Sequence, residues 1–260
     1  MIAGWFLSHL HGDHYGCILN FAPLHAKDTE LQALYYNFPP HHPTFSFQDD
    51  FGVRIETKVT EAAAQWKNPP RIYRKLRTGM RFHLADLTVN VLFTHEDLDH
   101  TENINHNDTS TVLRLDIAGQ RLLFPCDVME PACRMLESQL DPWELKADIV
   151  QFSHHGYEGA TQEFYDLAAA PTVLWPMNIY GWQPGPTAIF AHWKKIKGTR
   201  LQAMPNAYIC DEAPYVKKII LGGEGVVALP LPYTPSGNKL PDYERIHDEI
   251  AAAEAAEENA

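Results

Sequence analysis

Ser8-His9-Leu10-His11-Gly12-Asp13-His14-Tyr15-Gly16 decides how this 260-residue chain is read, because His9, His11, Asp13 and His14 place four potential metal ligands within six positions. In an extended strand end alternate residues point the same way, so His9 and His11 can share one ion. Gly12 tolerates backbone angles that other residues resist, which lets a turn carry Asp13 and His14 toward a second ion. A lone histidine at a strand end is more often an ordinary polar residue. Here the ligands directly follow the apolar run Ile2 to Leu7, which predicts a buried strand delivering them at its C-terminal end. Imidazole with carboxylate is the donor set of first-row divalent ions.

The spacing His-x-His-x-Asp-His resembles the signature of the metallo-β-lactamase fold, and later stretches extend the likeness. Leu122 to Val128 resembles the strand that ends in that family's bridging aspartate, here Asp127. Asp148 to Gly156 resembles the strand that ends in its last histidine. Within the superfamily the pattern is similar to the soluble domain of the DNA-uptake competence protein ComEC and bacterial hydrolases like it. These share Asn-x-x-Ser before a β-hairpin, here Asn107 to Ser110, and the His-His-Gly.

The resemblance implies an α/β fold, an αββα sandwich of the metallo-β-lactamase type. In the family an N-terminal set of strands precedes the metal motif, which here begins at His9, so the resemblance also implies that residues 1–233 lack the first strands of the domain. Residues 234–260 form an acidic Ala/Glu-rich tail without an apolar face, expected as frayed helix or disorder.

For the site, the resemblance implies His9 and His11 on the first ion, Asp13 and His14 with the second, Asp127 bridging, and Asp13, Asp127 and His155 as catalytic residues. Of the adjacent pair, His154 is expected as the ligand and His155 as its supporting partner, since ligating histidines need such support. Family members place a third histidine for the first ion a hairpin's length before the bridging aspartate. That window holds His106, Asn107 and Asp108, and ComEC-like sequences carry the Asn. The first ion is therefore expected to be completed by His106, Asn107, Asp108 or water, and one ion in place of two is an open alternative.

Composition bounds the rest. A 45% hydrophobic content is ordinary for a soluble globule, and one main domain is expected. A formal charge of -12 disfavours extended nucleic acid, which is held chiefly by clustered Lys and Arg. Four cysteines without Cys-x-x-Cys spacing read as thiols in a reducing compartment, by default the cytoplasm. The sequence has no run of the roughly 18 apolar residues that a membrane span needs.

Along the chain, Tyr15 to His25 is expected as helix, Glu30 to Phe38 as strand and Val53 to Trp66 as helix. Arg71 to Arg77 and Leu87 to Thr94 are expected as strands, and 96–108 as loop. Arg71, Arg74, Lys75, Arg77 and Arg81 make one basic cluster, either a charged sheet edge or an anion site. Thr111 to Ile117 and Arg121 to Pro125 form the clearest hairpin. Pro131 to Leu140 is an amphipathic helix, Ala147 to Phe152 a buried strand, Thr161 to Ala169 a helix and Thr172 to Trp175 a strand. Ala188 to Ile196 is expected as helix, Arg200 to Ala203 as strand, and Tyr208 to Cys210 with Val216 to Leu221 as sheet-closing strands. His41-His42 reads as a loop or a pocket mouth, and Trp175-Pro176 with Asn178 to Pro186 as a surface plug or a lid.

The chemistry that follows is hydrolysis. Two ions about 3.5 to 4 Å apart would lower the pKa of a shared water to about 7 and neutralise the developing oxyanion. Zinc is the default, with manganese or iron admitted by a carboxylate-rich or Asn-completed shell. Resemblance to ComEC-like domains implies a phosphodiester, and the net charge leans toward a small molecule or nucleotide. A lactonase or β-lactamase-like hydrolase is the alternative, and a metal-binding or interaction domain without catalysis is the second.

Overall fold

A computed structural model describes residues 1–40, 51–99, 105–176, 205–222, 227–239 and 252. The expectations for His41-His42, Asn178 to Pro186, 188–196, 200–203 and most of the tail lie outside these residues. Two sheets face each other. The smaller is parallel, in the order β1 (Trp5–Phe6), β2 (Ala33–Tyr35), β3 (Arg71–Tyr73). The larger has seven strands: β4 (Arg81–Leu84), β5 (Leu87–Phe93), β6 (Val112–Ile117), β7 (Gln120–Phe124), β8 (Ile149–Gln151), β9 (Thr172–Trp175) and β10 (Lys218–Leu221), which lie side by side in that order.

Helices α1 (Gly12–His25) and α2 (Phe51–Ala63) share a core with the small sheet, including Leu10, Ile18, Leu34, Val59 and Trp66. Helices α3 (Glu130–Gln139), α4 (Pro142–Leu145), α5 (Gln162–Ala168) and α6 (Pro205–Glu212) cover the outer face of the large sheet through Leu136, Leu145, Phe164 and Cys210. The period-2 pattern of the strands sets the layers. Val112 and Leu123 face those helices, while Leu113 and Phe124, one residue on, face the small sheet beside Phe6 and Phe82. A register shift between Val91 and Phe93 lets Leu92 and Phe93 fall in the same core. This is the α/β, αββα arrangement expected.

The large sheet is antiparallel from β4 to β7 and parallel from β7 to β10. Parallel neighbours need crossovers, and α3, α4 and α5 supply them. The loops after β7, β8 and β9 therefore emerge on one rim. The β6–β7 turn uses Ala118 (φ +51°) and Gly119 (φ +75°), the positive pair that a two-residue hairpin favours.

Several expectations are corrected. Tyr208 to Cys210 lies in α6, where Cys210 is buried against the large sheet's core, and only Lys218–Leu221 extends the sheet. Arg81–Leu84 is an additional strand, hidden by its basic residues, and Arg81 Nε bonds Asn90 Oδ1 at 2.8 Å. Segment 96–108 contains short 3-10 turns, His95–Asp97 and Asn107–Thr109. The basic cluster is partly spent on partners: Arg74 pairs with Glu56 and Tyr36, and Arg77 with Glu96. The charged-edge account fits these contacts better than an anion site.

A mainly apolar cavity of about 370 Å³ lies between the sheets, with Phe6, Leu84, Val89 and Leu113 among its walls. Ser8, His14 and Cys126 also line it.

Candidate metal centre

The apolar segment that contains β1 ends at Leu7, whose N–H donates to Tyr35 O at 2.9 Å, and the chain then turns into α1 with His11 at the N-cap. Gly12 needs no positive φ; it is the first helical residue, and the helix start itself carries Asp13 and His14 round. Asp13 in the first turn also suits the positive end of the helix dipole. His9 is fully buried.

Asp127 arrives from the loop after β7. The preceding residue, Cys126, has φ +57°, a left-handed conformation that costs strain in any residue but glycine. Ser110 Oγ accepts the Asp127 N–H at 3.2 Å and lies 3.2 Å from His9 Nδ1. The serine of the Asn-x-x-Ser pattern thus ties the hairpin to the metal motif.

Two groups of donors result. His9, His11 and Asp127 each offer a ligand atom, all within 4.8 Å of one another, and so do Asp13, His14, Asp127 and His155. Asp127 belongs to both. His14 Nε2 stands 3.0 Å from Asp127 Oδ2, and His9 Nε2 3.9 Å from the same oxygen. His9 Nε2 and Asp127 Oδ1 are buried without a hydrogen-bond partner. Buried polar atoms are rarely left so, and their pairing here fits a cation between imidazole and carboxylate.

The adjacent histidines are placed in the reverse of the expected order. His155 Nε2 reaches Asp13 Oδ2 at 3.0 Å, whereas His154 turns its Nδ1 to Glu158 O (2.6 Å) and its Nε2 to Asn107 Nδ2 (3.3 Å). The cause is a left-handed turn: His154, His155 and Gly156 have φ of +45°, +55° and +93°. Strand β9 clamps it, with Trp175 Nε1 donating to His155 O at 2.7 Å and Pro176 O 2.6 Å from His155 Nδ1.

Of the candidates for completing the first ion, Asp108 is committed elsewhere. Its Oδ1 accepts the N–H groups of Met129 and Ala132 at the start of α3, a helix-capping role. Burial raises its pKa against those bonds. His106 lies near the first group, its ring 5.9 Å from that of His11, and Asn107 Oδ1 is buried without a partner.

Electrostatics follow the geometry. Burial lowers the pKa of His9 and His11 and pushes His106 down to about 4, keeping these imidazoles neutral, the form that ligates metal. Burial alone would raise the Asp127 carboxyl. The hydrogen bond from His14 and the charges of His14 and His155 outweigh it and hold the group below the usual range. The His155 hydrogen bond lowers Asp13, and the same contact raises His155 to about 9.

The family model of the metallo-beta-lactamase superfamily matches residues 1–173. The chain belongs to the metallo-beta-lactamase superfamily. Among solved structures it is similar to the metallo-beta-lactamase fold protein YhfI from Bacillus subtilis, at 14% identity over 66% of this chain and 62% of that one, with a TM-score of 0.38. Zinc-bound PqqB from Methylobacterium extorquens shares 14% identity over 58% and 46% of the chains, with a TM-score of 0.35. The β-hydroxylase CmlA, in a variant form, shares 10% over 66% and 36%, with a TM-score of 0.43. The chain spans less than two thirds of the length of each of these proteins. A search of curated proteins finds no match. The superfamily is one of metal-dependent hydrolases, and this member carries donor groups able to hold a metal. Among its described residues, no helix is long and apolar enough to cross a membrane.

Sequence reasoning missed Ser8 and Ser110 as parts of the site, although Ser8 opens the motif and Ser110 closes the Asn-x-x-Ser pattern; Trp175-Pro176, expected as part of a plug or lid, holds the turn of His155.

Proposed function

We propose that this superfamily member is a hydrolase of small phosphodiesters, with His9, His11 and Asp127 holding one ion and Asp13, His14, His155 and Asp127 the other. The observation that carries this is the shared Asp127, whose Oδ1, like His9 Nε2, is buried and unpartnered. Bound there, divalent ions supply an acidified water as nucleophile and a Lewis acid for the oxyanion that develops. The chain's part is to aim the imidazoles, which the contacts of Ser8, Ser110 and Pro176 do, while burial keeps His9 and His11 neutral. His106 and Asn107 sit where the first ion would need further donors. Zinc suits an imidazole-carboxylate shell, and manganese or iron suit it where Asn107 takes part. Likeness to ComEC-type domains favours the phosphodiester, and the -12 charge favours a small or nucleotide substrate over a duplex.

One observation supports a second activity, hydrolysis of a lactone or β-lactam. The largely apolar cavity behind His14 suits an apolar substrate body beside a carbonyl better than a nucleotide. The test is turnover of bis(p-nitrophenyl) phosphate by the chain loaded with zinc or manganese, with loss in Asp127→Ala. Activity on lactones or β-lactams alone would transfer support to the second reading. Bound metal with no turnover of any of them would leave a binding domain.

A further inference from the structure

Ser8 stands outside the donor groups yet touches both. Its Oγ is 3.1 Å from His9 Nδ1, on the first group, and 3.0 Å from His14 Nδ1, on the second. The backbone fixes it there, because Ser8 O accepts the Thr111 N–H at 3.0 Å and so joins the small sheet to the start of β6. Phe6 and Ser8 lie on one side of this extended segment, and both line the inter-sheet cavity. A hydroxyl in that apolar row needs polar partners, and the two imidazoles are what it finds.

A hydroxyl offers two lone pairs and one proton. Both imidazoles can therefore donate Nδ1–H to Ser8 Oγ at once, while the hydroxyl proton turns into the cavity that Ser8 shares with Cys126. That arrangement leaves the Nε2 lone pairs of His9 and His14 free on the Asp127 side. Without an ion, His14 Nε2–H can instead donate to Asp127 Oδ2, 3.0 Å away, and Ser8 O–H then rotates to donate to His14 Nδ1. A carbonyl or carboxylate could serve only the first state. A hydroxyl serves both.

We infer that Ser8 is a positioning residue that sets the tautomers of His9 and His14 together and thereby couples the two ion sites. The inference rests on the two-ion reading above. Its test is a zinc titration of the full chain read as two binding steps, assigned with His11→Ala for the first group and Asp13→Ala for the second. Ser8→Ala is expected to weaken both steps, by about 10- to 100-fold as for other lost supporting partners. The larger loss is expected at the His14 step, since His9 keeps Ser110. Ser8→Thr, which retains the hydroxyl, should bind like the wild type. A wild type without two steps defeats the two-ion reading itself. Two normal wild-type steps with Ser8→Ala altered in one step or none overturn the coupling alone. Should Ser8→Ala fail to fold, long-range 15N–1H NMR of the zinc-loaded wild type decides. Nδ1 protonation of both His9 and His14 is expected, and Nε2 protonation of either overturns the inference.

Discussion

His155 Nε2 meets Asp13 Oδ2 at 3.0 Å across 142 positions of sequence, and this contact closes the second donor group. His154, its neighbour, is directed to Asn107 and Glu158 instead. Replacing His155 by Ala is therefore expected to remove one of two zinc equivalents, and His154→Ala to leave both. Metal analysis after dialysis against zinc buffer checks this. One equivalent in His154→Ala with two in His155→Ala would reverse the assignment.

The turn that presents His155 depends on Gly156, whose φ is +93° and where an added Cβ would lie 2.8 Å from Trp175 Nε1. Trp175 is buried and its N–H is already engaged by His155 O, so it cannot yield. Gly156→Ala should destabilise the fold by about 1–3 kcal/mol for the backbone strain, plus a clash. Gly119→Ala is the comparison, with φ +75° and no atom within 4 Å of the new carbon. Urea unfolding should show the Gly156 variant less stable; equal losses would mean that the clash contributes nothing.

Asp108 holds α3 by its first turn. Asp108→Ala leaves the Met129 and Ala132 N–H groups without their acceptor and is expected to cost about 1–3 kcal/mol. Asp108→Asn keeps an acceptor oxygen and should cost less. Zinc stoichiometry should stay at the wild-type value in whichever variant folds. A lost equivalent in Asp108→Asn with unchanged thermal stability would place the carboxylate in the metal shell.

Thiol reactivity should divide by burial. Cys17 is exposed, while burial pushes Cys126 to about 12 and raises Cys133 and Cys210 as well, which keeps those three protonated at pH 8. Brief iodoacetamide treatment of the native chain should modify one cysteine, and treatment in denaturant all four. Mass spectrometry that finds Cys126 labelled as fast as Cys17 would contradict the raised pKa of its half-buried thiol.

Metal removal should be felt as stability. Zinc at 100 times its dissociation constant is expected to add about 2.7 kcal/mol to the folded state, and a chelator to abolish that gain. Asp127→Ala should show no zinc-dependent shift in Tm. A wild-type Tm indifferent to zinc and chelator would count against any ion at the buried His9–Asp127 pair.

Much of this was legible in the chain. The period-2 and period-3.6 runs announced most strands and helices around the site, and the local density of His9, His11, Asp13 and His14 announced the donors, because both signals lie within a few residues. The order of strand ends carrying His9, Asp127 and the His154-His155 pair was legible by resemblance. The short strand Arg81–Leu84 was not, since its basic residues obscure the alternation and its place is set by pairing with β5.

Tertiary structure decided what no local spacing could. Which of two adjacent histidines faces Asp13 depends on three successive left-handed residues, and those are held by Trp175 at the end of β9 and by Pro176 just after it. Whether Asp108 caps a helix or meets an ion depends on where α3 begins relative to it. Sequence by itself determined which donors exist and at which strand ends they emerge; long-range packing determined where each one points. The reason is physical: side-chain direction follows backbone dihedrals, and at turns those are set by whatever packs against them.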